Sequence, residues 1–278
     1  MNIGIIGLGL MGASAAKSVK QKTGHTVYGI DLNKETMFFA KGNGTIDDSL
    51  TEENVKDCKL IFIALCPKAT IDWVENHCEF ISSETVVVDF CGIKRSVVTQ
   101  IEEIAQKHNF IYVGGHPMAG KEKGGYVSSD ENLYVGASMI LTPNAGVDIK
   151  ILAMLNDFFI DMGFANTTIS SPEEHDRIIA YTSQLPHIAS SAYIKSPTAK
   201  KRRGFSAGSF KDLSRVAFMD EKMWTELFLE KPDFLIEELE EYIENLNEYL
   251  SALKAKDYEL TQNLIHDGKE KKISSGGN

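Results

Sequence analysis

The chain has 278 residues, 43% apolar and 24% charged, with a net charge of −10 at neutral pH. That balance suits a soluble protein with a sizeable core and argues against nucleic-acid binding, which needs a basic face. No run approaches the roughly 20 apolar residues that cross a bilayer, so no membrane partner is expected.

The opening Met1-Asn2-Ile3-Gly4 has no basic segment and leads straight into a strand. No signal peptide is read there, and a cytoplasmic location is expected. Residues 3–6 predict a short buried strand. Residues 10–21 predict a helix whose Ala13, Ala15 and Ala16 allow close packing, and 26–31 a second strand. Helix 34–41, strand 60–65, helix 68–80, strand 85–90 and helix 94–108 follow, then strands 110–113 and 138–142 and helix 147–162. Strands that are apolar throughout and alternate with helices predict a doubly wound parallel sheet of the Rossmann type.

The pattern changes near residue 170. Ser171-Pro172-Glu173-Glu174 combines an N-cap serine, a first-turn proline and a capping-box glutamate. Residues 172–195 then read as one helix with a kink at Pro186, and 196–209 as a polar connection. Lys200-Lys201-Arg202-Arg203 within it reads as a solvated loop. Helices are expected at 210–218 and 220–228. A long amphipathic helix is carried by Phe234, Leu235, Leu239, Tyr242, Ile243, Leu246, Tyr249, Leu250 and Leu253 within 232–265. The tail 269–278 is expected to fray. The domains read as 1–168, a nucleotide-binding α/β domain, and 169–278, an all-helical domain whose long helix suggests a homodimer.

Gly7-Leu8-Gly9-Leu10-Met11-Gly12 follows the first strand, opens a helix, and lies in a strand–helix–strand unit ending at Asp31. That context marks a dinucleotide site: the glycines bring backbone to the pyrophosphate, the helix N-terminus faces it, and Asp31 receives the adenosine ribose hydroxyls. The carboxylate repels a 2′-phosphate, so NAD is expected over NADP. Cys58, Cys66, Cys78 and Cys91 form no Cys-x-x-Cys pair, and free thiols with no metal are expected.

Phe110 to Val113 ends in Gly114-Gly115-His116-Pro117-Met118-Ala119-Gly120. An imidazole on a glycine-flanked strand end beside a hydride-accepting cofactor is the expected proton acceptor, with the glycines letting backbone approach the ligand. His25, His77, His108 and His266 read as surface residues and His175 as a packing or capping residue. His187, after Leu185-Pro186, reads as a substrate contact.

These segments resemble the prephenate/arogenate dehydrogenase family of tyrosine biosynthesis over essentially the whole chain. The likeness is carried by Gly7–Gly12, by Gly114–Gly120 with Glu122-Lys123 and Gly125, and by Leu141-Thr142-Pro143 and Ser171–Asp176. Leu185-Pro186-His187, Phe210–Arg215 and Trp224 complete it. The resemblance implies oxidative decarboxylation of prephenate to 4-hydroxyphenylpyruvate, with His116 taking the C4 hydroxyl proton as hydride passes to NAD. It implies that Arg215 binds a substrate carboxylate, that His187 is a second substrate-side histidine, and that Glu122 is a gating or ordering carboxylate near the pocket mouth. Gly208 would lie in a loop reaching the neighbouring subunit's pocket, and Trp224 would pack behind Arg215. Many members carry a serine where Gly92 stands, so either a water or Cys91 replaces its hydroxyl or the tuning of His116 differs, and reduced or altered activity is expected. Rival readings are an arogenate or dual-substrate enzyme, a β-hydroxyacid dehydrogenase with a lysine base, and a silent NAD-binding protein. Tyrosine inhibition at the substrate pocket is a further expectation, and no fused mutase or regulatory domain is expected.

Overall fold

Residues 1–276 are described by the computed structural model. The first half alternates β1 (Asn2–Ile6), α1 (Leu10–Lys22), β2 (Thr26–Ile30), α2 (Lys34–Gly42), β3 (Asp48–Ser49), α3 (Glu52–Val55), β4 (Leu60–Ile63), α4 (Pro67–His77), β5 (Val86–Asp89) and α5 (Arg95–His108). It continues through β6 (Ile111–Pro117), β7 (Ser138–Pro143), α6 (Ile149–Met162) and β8 (Asn166–Ile169). The sheet order is β3-β2-β1-β4-β5-β6-β7-β8. Its direction of growth reverses between β1 and β4, the crevice where such folds bind nucleotides.

Side chains alternate across the central strands. Ile3, Ile5, Leu60, Phe62, Val86 and Val88 pack on one face with α1 and α6. Ile6, Ile61, Ile63 and Val87 pack on the other with α4 and α5. Burial on both faces is why these strands read as continuous apolar runs.

The sheet departs from all-parallel at one place. β7 runs antiparallel to β6, with His116 opposite Ile140. The connection 118–137 holds only a short 3₁₀ turn, and without a crossover helix the returning strand pairs antiparallel. β8 pairs parallel with β7; its mostly exposed Asn-Thr-Thr-Ile carries no apolar pattern to reveal it. The two-residue β3 and one-turn α3 are likewise invisible to periodicity.

The helical part comprises α7 (Pro172–Ile179), a π-turn over Ala180–Gln184, α8 (Leu185–Ile194), α9 (Gly208–Ser214), α10 (Glu221–Leu229), α11 (Asp233–Ala255) and α12 (Tyr258–Ser274). The single helix expected over 172–195 is therefore interrupted. Pro186 has no N–H and crowds the preceding turn, and the wider π-turn just upstream absorbs that conflict.

Two compact units result, Met1–Lys231 and the stretch from Pro232 onward. The division read at 168/169 falls inside β8, just before the change from strands to helices. By compactness, α7 to α10 belong with the sheet, because Asp176 binds the N-terminus of α5 and Glu230 accepts a hydrogen bond from Ser96.

In the second unit the long helix expected over 232–265 is two helices. Lys256 adopts a left-handed conformation at φ 54° and Asp257 caps α12 through Leu260 N. The tail expected to fray is helical as far as Ser274; Gly277 and Asn278 lie outside the described residues. Among the described residues, no helix is long and apolar enough to cross a membrane.

Candidate active site

The loop between β1 and α1 is shaped by two glycines and left open by a third. A Cβ on Gly7, at φ +83°, would meet the Ala64 carbonyl oxygen at 2.6 Å, and one on Gly12 would meet the Gly7 oxygen at 1.8 Å. A Cβ on Gly9 would meet nothing within 4 Å. Gly7 and Gly12 therefore close the turn and seat α1 on the sheet, while Gly9 keeps a face clear for a ligand. Gly9 is also the N-cap of α1 and supplies no side-chain cap, so Leu10 and Met11 begin a 13-residue helix with free N–H groups. Asp31, at the end of β2, accepts from Leu8 N at 2.7 Å and Asn33 N at 2.8 Å. Those bonds fix the carboxylate at the loop and leave lone pairs on both oxygens. The residues present fit a dinucleotide.

His116 lies near the end of β6, on the same carboxyl edge of the sheet as the loop after β1. Three strand spacings separate β1 from β6, roughly 14 Å at about 4.8 Å each. His116 Nδ1 is 2.8 Å from His175 Nε2, and His175 Nδ1 is 2.7 Å from Asp176 Oδ1. Asp176 also accepts from Lys94 N at 2.7 Å, Arg95 N at 2.9 Å and Arg95 Nε at 3.4 Å. A carboxylate so held is an acceptor only. His175 must then donate from Nδ1 and accept at Nε2, His116 must donate from Nδ1, and the free lone pair of His116 sits on Nε2.

Burial holds His116 well below the ordinary histidine value, and the neighbouring His175 and the Lys94 ammonium push the same way. His175 is lowered by its own burial, with Asp176 working against the shift. Both rings are neutral at rest.

Beneath them lies a fully buried ion pair, Lys94 with Asp89. Asp89 also accepts from Tyr112 Oη at 2.6 Å, Cys91 N at 2.9 Å and Gly115 N at 3.2 Å. With its neighbours satisfied, the pair is a fixed support; removing one member alone would cost on the order of 3–5 kcal/mol.

The helix α10 links the rest. Leu227 Cδ2 lies 3.6 Å from where a Gly92 Cβ would stand, and His116 Nε2 lies 3.8 Å from that point. One turn earlier, Trp224 packs on His187 with ring centroids 3.9 Å apart. His187 donates from Nδ1 to the Ser183 carbonyl at 2.7 Å, a carbonyl in the π-turn. Burial lowers His187, the Ser183 bond opposes this, and the Arg215 cation adds to the lowering. Arg215 and Glu122 line one cavity of about 640 Å³ with Gly120, Lys121 and Lys123. Gly208 opens α9, and its neighbours Ala207 and Ser209 line a different cavity of about 610 Å³.

The structure thus brings Arg215 together with Glu122, and His187 with Trp224, which packs tilted on the imidazole. Gly208 does not line the Arg215 cavity. Gly114 and Gly115 are not openings toward a ligand: their Cβ positions would strike Thr142 Oγ1 at 2.2 Å and the Asp89 carbonyl oxygen at 2.6 Å. Cys91 does not replace a hydroxyl beside His116, since its Sγ lies 3.3 Å from Thr70 Oγ1. His175, expected only to pack or cap, contacts His116 directly. Asp176, Lys94 and Asp89 complete that cluster, and sequence reasoning missed all three. One signal was available: a His-Asp pair in the first turns of a helix whose other first-turn acids are exposed.

Residues 15–166 match the family model described as prephenate dehydrogenase, nucleotide-binding domain, and residues 171–266 the one described as prephenate dehydrogenase, dimerization domain. The chain is 29% identical over 267 residues to the prephenate dehydrogenase of Bacillus subtilis strain 168, covering 92% of this chain and 71% of that protein. It is 26% identical over 265 residues to the cyclohexadienyl dehydrogenase of Zymomonas mobilis, covering 92% and 89%. A solved prephenate dehydrogenase from A. aeolicus, in complex with hydroxyphenyl propionate and NAD+, has a TM-score of 0.84 at 28% identity over 99% of this chain and 98% of that one.

Proposed function

The chain belongs to the prephenate dehydrogenase family, and from that membership we propose that it converts prephenate and NAD to 4-hydroxyphenylpyruvate, CO2 and NADH. The observation that carries this reading is His116: neutral, partly buried, its Nδ1 committed to His175, and its Nε2 lone pair left free beside Gly92. A base of that kind suits a hydroxyl proton at the moment the carbon beneath it loses hydride.

NAD, when bound, supplies the hydride acceptor. Gly9 and the first N–H groups of α1 hold its pyrophosphate, and Asp31 receives the ribose hydroxyls and repels a 2′-phosphate. Arg215 offers the guanidinium fork that a substrate carboxylate needs in an acidic protein. Glu122, in the same cavity, orders the mouth of the pocket around that cation. His187 presents Nε2 as an acceptor, since its Nδ1 is bound to Ser183. Loss of the carboxylate as CO2 makes the ring aromatic, so the protein's work is positioning and charge placement.

The family's dimerization-domain match over 171–266 agrees with a half-exposed apolar stripe on α11, Ile236, Ile243, Leu246, Leu250 and Leu253. A homodimer through that stripe is the corresponding reading, and a solution mass of two chains is expected.

The test of function is NADH formation with prephenate and with arogenate, each with NAD and with NADP. The highest kcat/KM is expected for prephenate with NAD. A preference for arogenate would overturn the substrate assignment, and a preference for NADP the role given to Asp31.

A further inference from the structure

We infer that the proton taken by His116 does not remain there but moves one ring inward, so that His175, held against Asp176, carries the positive charge during turnover. This inference rests on the reaction proposed above. The hydrogen-bonded series is continuous and its direction is fixed at the far end. Asp176 accepts from both backbone N–H groups at the start of α5, from Arg95 Nε and from His175 Nδ1, so it takes no proton. His175 Nε2 is then an acceptor 2.8 Å from His116 Nδ1.

The step balances with two protons moving in one direction. The substrate hydroxyl proton goes to His116 Nε2, and the proton on His116 Nδ1 passes to His175 Nε2. His116 ends neutral in its other tautomer and His175 ends as imidazolium. After product leaves, the proton on His175 Nε2 returns to His116 Nδ1 and the proton on His116 Nε2 passes to solvent, which frees the Nε2 lone pair and restores the base.

Charge placement gives the direction. His116, on β6, is partly buried, and the fixed charge acting on it is the ammonium of Lys94, which repels a second cation. His175, on α7, is buried more deeply but has the Asp176 carboxylate at 2.7 Å, with Arg95 on the far side of that carboxylate. Lys94 and Asp89, from the junction of β5 and α5, act on His175 in opposite senses. Of the two rings, only His175 has a carboxylate against it. His175 is thus a positioning residue that works through His116, with a role larger than orienting it.

Two variants separate storage of charge from orientation. In His175→Gln the amide oxygen replaces Nε2 as acceptor for His116 Nδ1, so the tautomer is kept while no charge can be stored. In His175→Asn the shorter amide reaches only Asp176. Both are expected to bind NAD as the parent does and to lose about 10²-fold in kcat, of the order that acid–base groups contribute, with KM little changed. Their acid limb of kcat/KM is expected at lower pH, because His116 beside the Lys94 ammonium and without its relay is the harder ring to protonate.

A His175→Gln enzyme with parental kcat and an unmoved limb would overturn the inference and leave orientation as the whole role. A second arm needs neither substrate nor variant. Histidine ring NMR of the parent should show His175 titrating first, at the midpoint of the activity limb. A His175 ring that stays neutral while His116 protonates would overturn it. A parent inactive on both prephenate and arogenate, with His175 still titrating first, would overturn the proposed reaction and leave the relay supported.

Discussion

The free nitrogen of His116 faces a glycine: a Cβ built on Gly92 lies 3.8 Å from Nε2 and 3.6 Å from Leu227 Cδ2. Both are ordinary contact distances, so Gly92→Ser should fold with stability within about 0.5 kcal/mol of the parent. Its hydroxyl reaches Nε2 and the space the substrate hydroxyl would share. We expect kcat/KM to rise. A fall, measured by NADH formation with the fold intact, would show that this chain's site is tuned to the missing hydroxyl.

Acid should damage stability before it damages the base. Burial lowers His116, His175 and His187 below their ordinary 6.5. An unfolded chain therefore binds protons at these sites that the folded chain refuses. Stability from this source is complete above the unfolded value near 6.5 and declines as pH falls through the folded values. The melting temperature is expected to drop as pH falls below about 6.5, while kcat/KM at low temperature holds its plateau below pH 6.5. An activity limb centred above 6.5 would contradict the electrostatics of the site.

The glycines of the nucleotide loop should separate by role. Gly12→Ala forces a Cβ to 1.8 Å from the Gly7 carbonyl oxygen, so the turn must move and both stability and NAD binding should be lost. Gly9→Ala points its methyl into open space. It should melt like the parent yet bind NAD far more weakly. Calorimetric titration with NAD reads both, and unimpaired binding by Gly9→Ala would remove the loop from the cofactor site.

Arg215→Ala should mainly raise KM for prephenate, with a smaller effect on kcat. Arg215→Lys should recover only part of it, since a single ammonium cannot pair bidentately with a carboxylate. Removing the cation also lifts its depressing effect on His187, so the His187 ring should titrate at higher pH in the alanine variant. An unchanged KM would place the carboxylate elsewhere.

Much of this was legible in the residues, for physical reasons that differ from part to part. The parallel core was visible because burial on both faces makes Leu60 to Ile63 and Val86 to Val88 apolar without interruption. The nucleotide loop was visible because Gly7 and Gly12 answer a steric demand that only glycine meets. The antiparallel turn into β7 was not, since strand direction depends on what the connection contains and not on the strand's own pattern. The break at Lys256 and Asp257 was hidden inside a run of helix-compatible residues.

The support around His116 was hidden for another reason. Lys94 is fully buried, though lysine is ordinarily a surface residue, and only the tertiary fold supplies Asp89 as its partner. His175 looked like part of a cap because its role depends on a ring 59 residues away in sequence.

The most direct measurement is the turnover of His116→Asn with prephenate and NAD, taken beside its NAD affinity. The account predicts a loss of about 10²–10⁴-fold in kcat, the range for removing a general base, with NAD bound as tightly as by the parent. A variant that still forms NADH at the parental rate would contradict it.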